Sequence, residues 1–201
     1  MIKATKADRD LVVDILVEAF EPIREDNSIN FVVKQDHNRH QRMRVLMEYL
    51  FDKAFRTGAI YISDNRASCL LITYSNKDNF SFSKLYSTLR LAFKCIGIFR
   101  VAKVLRRQKI IQRNYPKTAY IRPMIFAVKQ EFKGGVTAPR LVLQVYDAFR
   151  DNKLPVIVDA ASEQNVRLYQ KFGLEIFNTE NGLGFPIYLM KMHGVPQKKA
   201  S

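Results

Sequence analysis

Glu131-Phe132-Lys133-Gly134-Gly135-Val136-Thr137-Ala138-Pro139-Arg140-Leu141 is the stretch that decides the fold of this chain. Behind it Leu141, Val142, Val145, Ala148 and Phe149 recur at helical spacing, so the loop runs into an amphipathic helix. Pro139 suits the first turn of that helix, where its missing N–H costs nothing. Ahead of the loop, Ile121 to Val128 reads as a strand bounded by turn signals. Strand, small-residue loop and helix thus follow in order. The first amides of a helix have no intrahelical acceptor, so such a unit offers several N–H donors to an anion such as phosphate. Gly134, Gly135 and Ala138 leave room for close approach. The same residues also suit a tight strand-to-helix turn that needs glycine for geometry alone, and the loop by itself does not separate the two.

A second element follows at once. Leu154-Pro-Val-Ile-Val-Asp-Ala160 is a short apolar strand, and Ser162 is placed to cap a helix with Asn165 at its third position. Asn165 and Tyr169 are four residues apart and share a face. The helix closes at Phe172-Gly173, with glycine at the expected C-terminal position. A purely structural role for Tyr169, half-buried with its hydroxyl bonded to backbone, is the plain alternative.

Over residues 119–178 these two signatures resemble the GNAT superfamily of acyl-CoA-dependent N-acyltransferases. The family pattern is a strand, a Gln/Arg-x-x-Gly-x-Gly/Ala loop, a helix, a strand, and an Asn-to-Tyr helix ending in an aromatic-Gly pair. Here Lys133-Gly134-Gly135-Val136-Thr137-Ala138 occupies the loop, and Asn165 to Gly173 the second signature. Lys133 stands where Gln or Arg is usual, Val136 where a central Gly is usual, and Leu174 where Phe is favoured. Ile2-Lys-Ala-Thr5 with Ala7-Asp8 extends the likeness weakly to the first strand and helix. The resemblance implies an α/β (α+β) GNAT fold: a single domain over 1–196, with a central mixed sheet of six to seven strands flanked by helices.

It also implies roles. Backbone groups of Phe126, Ala127 and Val128 would hold the pantetheine arm of acetyl-CoA. The loop from Lys133 through Gly134, Gly135, Val136, Thr137 and Ala138 to Pro139 would hold the pyrophosphate, with Lys133 adding charge. Asn165 would bond the pantetheine or cysteamine end, and Tyr169 would be the general acid for the departing thiolate. No general base stands out. Arg122, Met124 and Phe126 occupy the strand positions, and Glu21, Glu25, Asp26 or a water relay are the alternatives. The expected activity is acetyl transfer to the amine of a small-molecule acceptor. A catalytically inactive GNAT-fold protein whose basic segment docks an anionic partner is the reading from another class.

Composition agrees with this. The chain has 201 residues, enough for a full core, and is 47% apolar. Its start lacks the apolar stretch of a secretory signal and no run reaches a membrane-spanning length, so a cytoplasmic location is expected. Cys69 and Cys95 are too few and too far apart for a disulfide framework. His37, His40 and His193 lack the spacing of ligands, and no metal is expected. A homodimer stays open as an alternative to the monomer.

Periodicity predicts alternating elements: a strand at 2–5, a helix at 7–20, a polar loop over 25–41 with room for a short turn, and a helix at 42–55 closing at Gly58. Strands at 59–63 and 67–74 are joined by Asp64-Asn65-Arg66. After the middle segment come a strand at 119–128, helices at 137–151 and 163–172, and strands at 155–160, 174–178 and 185–192. Residues 197–201 are expected to fray.

The middle segment is unusual in charge. Between Asn79 and Gln130 there are twelve Lys and Arg and no Asp or Glu, so twelve of the net +14 charges lie there. Residues 84–113 read as helical with a break near Gly97, an inserted basic segment near 80–115. It suits a solvated helical pair packed on the sheet, or a field that draws in an anionic ligand. A nucleic acid or a membrane surface is the third reading and is not expected. No nucleic-acid motif is present, and the charges are spread round the helix.

Overall fold

The structure is a computed structural model that describes residues 1–77, 82–181 and 184–192. Seven strands form one sheet in the order β1-β2-β3-β4-β5-β7-β6. They are β1 (Ile2–Lys3), β2 (Gly58–Ile62), β3 (Ser68–Tyr74), β4 (Ile121–Val128), β5 (Val156–Ala160), β6 (Glu175–Glu180) and β7 (Ile187–Met192). All neighbouring pairs are antiparallel except β4 and β5, which run parallel. The mixed sheet of six to seven strands expected from the sequence is therefore present.

Helices cover both faces. Along β3 the residues alternate: Cys69 and Leu71 pack with helices α1 (Arg9–Phe20) and α3 (Arg39–Thr57), while Leu70 and Ile72 pack with Leu141 and Val145 of α6 (Thr137–Ala148). The α1/α3 layer supplies the largest core, with Val12, Ile15, Leu16, Met43, Met47 and Phe51 almost fully buried. Each such side chain contributes roughly 1.5–3 kcal/mol. Helix α7 (Glu163–Lys171) joins α6 on the second face, where Val166 packs on Val158, Ala160 and Met190.

Several boundaries differ from the expected ones. The polar segment 25–41 contains a helix, α2 (Ser28–Val32), started by Asn27, whose Oδ1 accepts from the amides of Ile29 and Asn30. Helix α3 begins at Arg39, three residues early, because Arg39 is buried there. It donates to the carbonyls of Glu21 and Ile23 and to Asn30 Oδ1. A 3₁₀ turn at Lys6–Asp8 precedes α1. Helix α6 stops at Ala148, and β6 and β7 begin at Glu175 and Ile187. The frayed tail expected at 197–201 lies outside the described residues, as does His193.

Gly58 ends α3 and opens β2. A Cβ at Gly58 would sit 1.9 Å from the carbonyl oxygen of Ile72, so the strands meet there only because the residue is glycine.

The basic insert is helical and breaks at Gly97, as its sequence indicates. Helix α4 (Phe82–Leu91) runs into a π-helical turn at Ala92–Ile96, Gly97 turns the chain with φ +80°, and α5 (Val101–Gln112) follows. Helix α5 packs Ile111 onto Ile187 and Leu189 of β7, on the face of the sheet opposite α7.

Candidate active site

The two parallel strands set the site. β4 and β5 share one ladder pair, Ile121 with Val156, beside a bond from the Ile121 amide to the Pro155 carbonyl at 2.9 Å. No further pair joins them among the described residues. One cause lies in β4: the register with β3 passes from Leu71–Ile125 to Ile72–Pro123, leaving Met124 as a bulge that bends the strand. Parallel strands carry their C-terminal ends to the same edge, so the loop after β4 and the start of α7 after β5 flank one split. Ligands of α/β sheets bind at such carboxyl ends.

The loop after β4 leaves part of its backbone unpaired. Its start is anchored by Lys129 N–H to the Ala67 carbonyl and by Gln130 N–H to Glu18 Oε1, at 2.8 and 2.9 Å. A 3₁₀ turn over Gln130–Phe132 uses the amides of Phe132, Lys133 and Gly135 internally. Gly134 has φ +82°, a conformation that favours glycine, and nothing lies within 4 Å of where its Cβ would be. Among the described residues the amides of Gly134 and Val136 carry no hydrogen bond, and those of Thr137 and Ala138 open α6. Val136 is 74% exposed at ordinary helical dihedrals, so its side chain projects to solvent. The hairpin turn also braces the helix start: Asn65 Nδ2 donates to Thr137 Oγ1 at 3.1 Å. An open depression of about 530 Å³ on the outer side of α6 is lined by Gly134, Gly135, Val136, Pro139, Arg140 and Leu143 among others.

On the other side of the split, Ser162 caps α7 by accepting from the Asn165 amide, as its position in the sequence predicts. Asn165 is exposed, and Tyr169 one turn later is half-buried against Val158, Ala160 and Met190. Burial, aided by the nearby Asp159 carboxylate, raises the Tyr169 pKa above its ordinary value, so the phenol holds its proton. Phe126, Ala127 and Val128 form the end of β4; Phe126 faces the α6 layer and Ala127 the α1/α3 layer. Glu21 pairs with His40 Nδ1 at 2.7 Å, while Glu25 and Asp26 are exposed in the following loop. Among the described residues no group of three or more His, Cys, Asp or Glu is placed to hold a metal ion.

A polar cluster that sequence reading missed crosses the split on the α5 face. Arg122 of β4 donates to Asp159 Oδ1 of β5 at 2.6 Å, and the Tyr115 hydroxyl donates to the same oxygen at 2.7 Å. The Arg122 guanidinium also lies over the Tyr115 ring, 5.2 Å from its centroid. Burial works against the Asp159 charge, yet Arg122 and Tyr115 hold its carboxyl below the usual range. The pair likewise keeps Arg122 above its ordinary value in spite of burial. Arg107, reaching in from α5, donates to Ser28 Oγ at 3.0 Å and sits over the rings of Phe31 and Phe185. Among the described residues, the Nε atoms of Arg107 and Arg122 are buried without a hydrogen bond. A signal was available: Asp159 interrupts an apolar strand, and a charge in such a place requires a partner. Tyr169 and this cluster therefore bracket the opening between β4 and β5 from opposite faces.

No protein-family model matches the chain, and no curated protein matches it by sequence. Solved structures do resemble it in fold. One is described as histone acetyltransferase HPA2 and related acetyltransferase from Corynebacterium glutamicum, at 20% identity over 99% of this chain and 97% of that one, TM-score 0.68. Another is arylalkylamine N-acetyltransferase 2 from Aedes aegypti, at 16% over 96% and 97%, TM-score 0.60. A third is a Drosophila melanogaster polyamine N-acetyltransferase described as forming N-acetylagmatine, at 14% over 95% and 97%, TM-score 0.56. With the mixed sheet and its two parallel central strands, these likenesses show that the chain has the GNAT fold.

Proposed function

We propose that the chain is an acetyl-CoA-dependent N-acetyltransferase that moves an acetyl group to the amine of a small acceptor. The observation that carries this reading is the opening between β4 and β5, with the donor loop at its mouth and Tyr169 half-buried at its side. The amides of Gly134, Val136, Thr137 and Ala138 suit the pyrophosphate, and the Lys133 ammonium adds charge. Pro139 follows in the first turn of α6 without needing a donor of its own. The outward Val136 side chain supports a loop that keeps its backbone available. The β5-facing edge of Phe126, Ala127 and Val128 offers backbone groups to the pantetheine arm, and Asn165 a side-chain amide to its end.

Acyl transfer forms a C–N bond and breaks a C–S bond, so the sulfur must receive a proton as it leaves. Tyr169 is the group proposed to donate it, and a raised pKa keeps that proton in place at neutral pH. The amine proton leaves to a base or to water. The twelve cations between Asn79 and Gln130 create a field that raises encounter rates with a polyphosphate ligand.

Calorimetric titration with acetyl-CoA at moderate ionic strength tests the reading, followed by an amine screen for thiol release. Micromolar binding with release supports it. No binding at millimolar acetyl-CoA sinks it and leaves a GNAT-fold binding protein whose basic insert docks an anionic partner.

A further inference from the structure

Helix α4 is amphipathic in the reverse sense. Its spacing puts Leu85, Tyr86 and Leu89 on one face, and that face looks outward: the three are 45%, 70% and 49% exposed. The helix meets the body through its other side, where Leu91 is buried and Arg90 pairs with Glu48 of α3. Apolar exposure continues past the helix at Phe93, Ile98 and Phe99, and Phe99 is 99% exposed. A surface helix ordinarily turns its apolar stripe to the core, and a run of exposed large apolar side chains marks a contact surface.

The charge of this segment selects its occupant. Lys94, Arg106 and Lys109 are exposed within a segment that holds no acidic residue from Asn79 to Gln130. A second copy of the chain fits poorly, because a two-fold interface sets the patch against itself and brings like charges together. A rigid acidic protein would need a pocket shaped for each projecting side chain. A fluid anionic lipid surface needs none. It takes apolar groups into the headgroup–acyl boundary and cations at the headgroups. Basic residues spread round the helix speak against this partner in the sequence alone; the outward apolar stripe speaks for it.

We propose that α4 and the turn leading to α5 dock on an anionic bilayer surface. Leu85, Tyr86, Leu89, Phe93 and Phe99 enter the interface, and Lys94, Arg106 and Lys109 meet the headgroups. The inference does not rest on the proposed activity, since none of the apolar residues belongs to the loop after β4 or to α7.

Co-sedimentation of the full chain with vesicles tests it, using phosphatidylcholine alone and phosphatidylcholine mixed with phosphatidylserine. The chain is expected to pellet with the mixed vesicles and stay in solution with the neutral ones. Leu89→Ser, Phe93→Ser and Phe99→Ser together are expected to weaken partitioning by about tenfold or more. Their exposed positions predict an unchanged thermal unfolding midpoint, which separates this loss from misfolding. Failure to pellet with mixed vesicles overturns the proposal, and so does pelleting that the triple variant leaves intact, which would mean adsorption by charge alone. A dimer in solution that the same variant splits also overturns it, by giving the face to a second copy.

Discussion

Arg122 and Asp159 join the two strands that the rest of the sheet leaves apart: Nη2 of Arg122 on β4 lies 2.6 Å from Oδ1 of Asp159 on β5. Beyond Ile121 and Val156 no ladder pair holds these strands together among the described residues, so side chains take over the role. Tyr115 adds a second donor to the same oxygen.

Asp159→Asn should therefore destabilise the fold, because it leaves a partly buried guanidinium without its charge partner. Loss of one member of a fully buried pair costs about 3 kcal/mol, and partial exposure here brings the expected cost down to about 2 kcal/mol. Urea unfolding measures it, and an unchanged midpoint would show that the pair is dispensable.

The same pair makes a prediction about acid. The Asp159 carboxyl is held below its ordinary value in the folded chain, so its contribution is present above the unfolded pKa of about 3.9 and is lost as pH falls through the lower folded value. Stability of the wild type is expected to drop more steeply below about pH 4 than that of Asp159→Asn. Thermal unfolding across this range compares the two slopes, and parallel curves would remove the carboxylate from the account.

Tyr169→Phe should lower turnover by about a hundredfold while acetyl-CoA affinity stays the same. Since burial raises the Tyr169 pKa, activity that depends on its proton should persist through neutral pH and fall only above about pH 10. Steady-state rates together with calorimetry separate the two effects. An unchanged rate would take Tyr169 out of its proposed role.

Gly58→Ala should be among the most damaging small substitutions. Its Cβ would lie 1.9 Å from a backbone oxygen of β3, which neither strand can vacate without breaking the ladder. A cost of about 3 kcal/mol or more is expected, seen as a fall in soluble yield and in Tm.

Both thiols should be silent in the native chain. Cys69 and Cys95 are fully buried, and burial pushes the Cys95 thiol up to about 12 and Cys69 higher still. Labelling with a chromogenic disulfide at neutral pH is expected to report no reactive thiol before denaturation and two afterwards. Rapid native labelling would place a cysteine at the surface.

Much of this architecture is legible in the chain because its signals are local. Small residues at Gly134 and Gly135, the Ser162 cap and the Phe172-Gly173 stop each act within a few residues, and the loop and α7 form where they indicate. Helix α2 was harder to read, since five residues in a polar segment carry little periodicity and depend on the Asn27 cap. The start of α3 followed a long-range cause, the burial of Arg39 against carbonyls 16 and 18 residues earlier.

The sequence by itself determined the alternation of the main strands and helices, the small-residue loop, the Asn165-to-Tyr169 spacing and the basic, acid-free insert. These rest on backbone preference, capping and charge, which neighbouring residues settle among themselves. Only the tertiary structure decided that Arg122 meets Asp159 across 37 residues and Tyr115 meets it across 44. It alone also turned the apolar face of α4 away from the core. Both outcomes come from how strands and helices pack, and packing joins residues whose distance along the chain carries no sign of their contact.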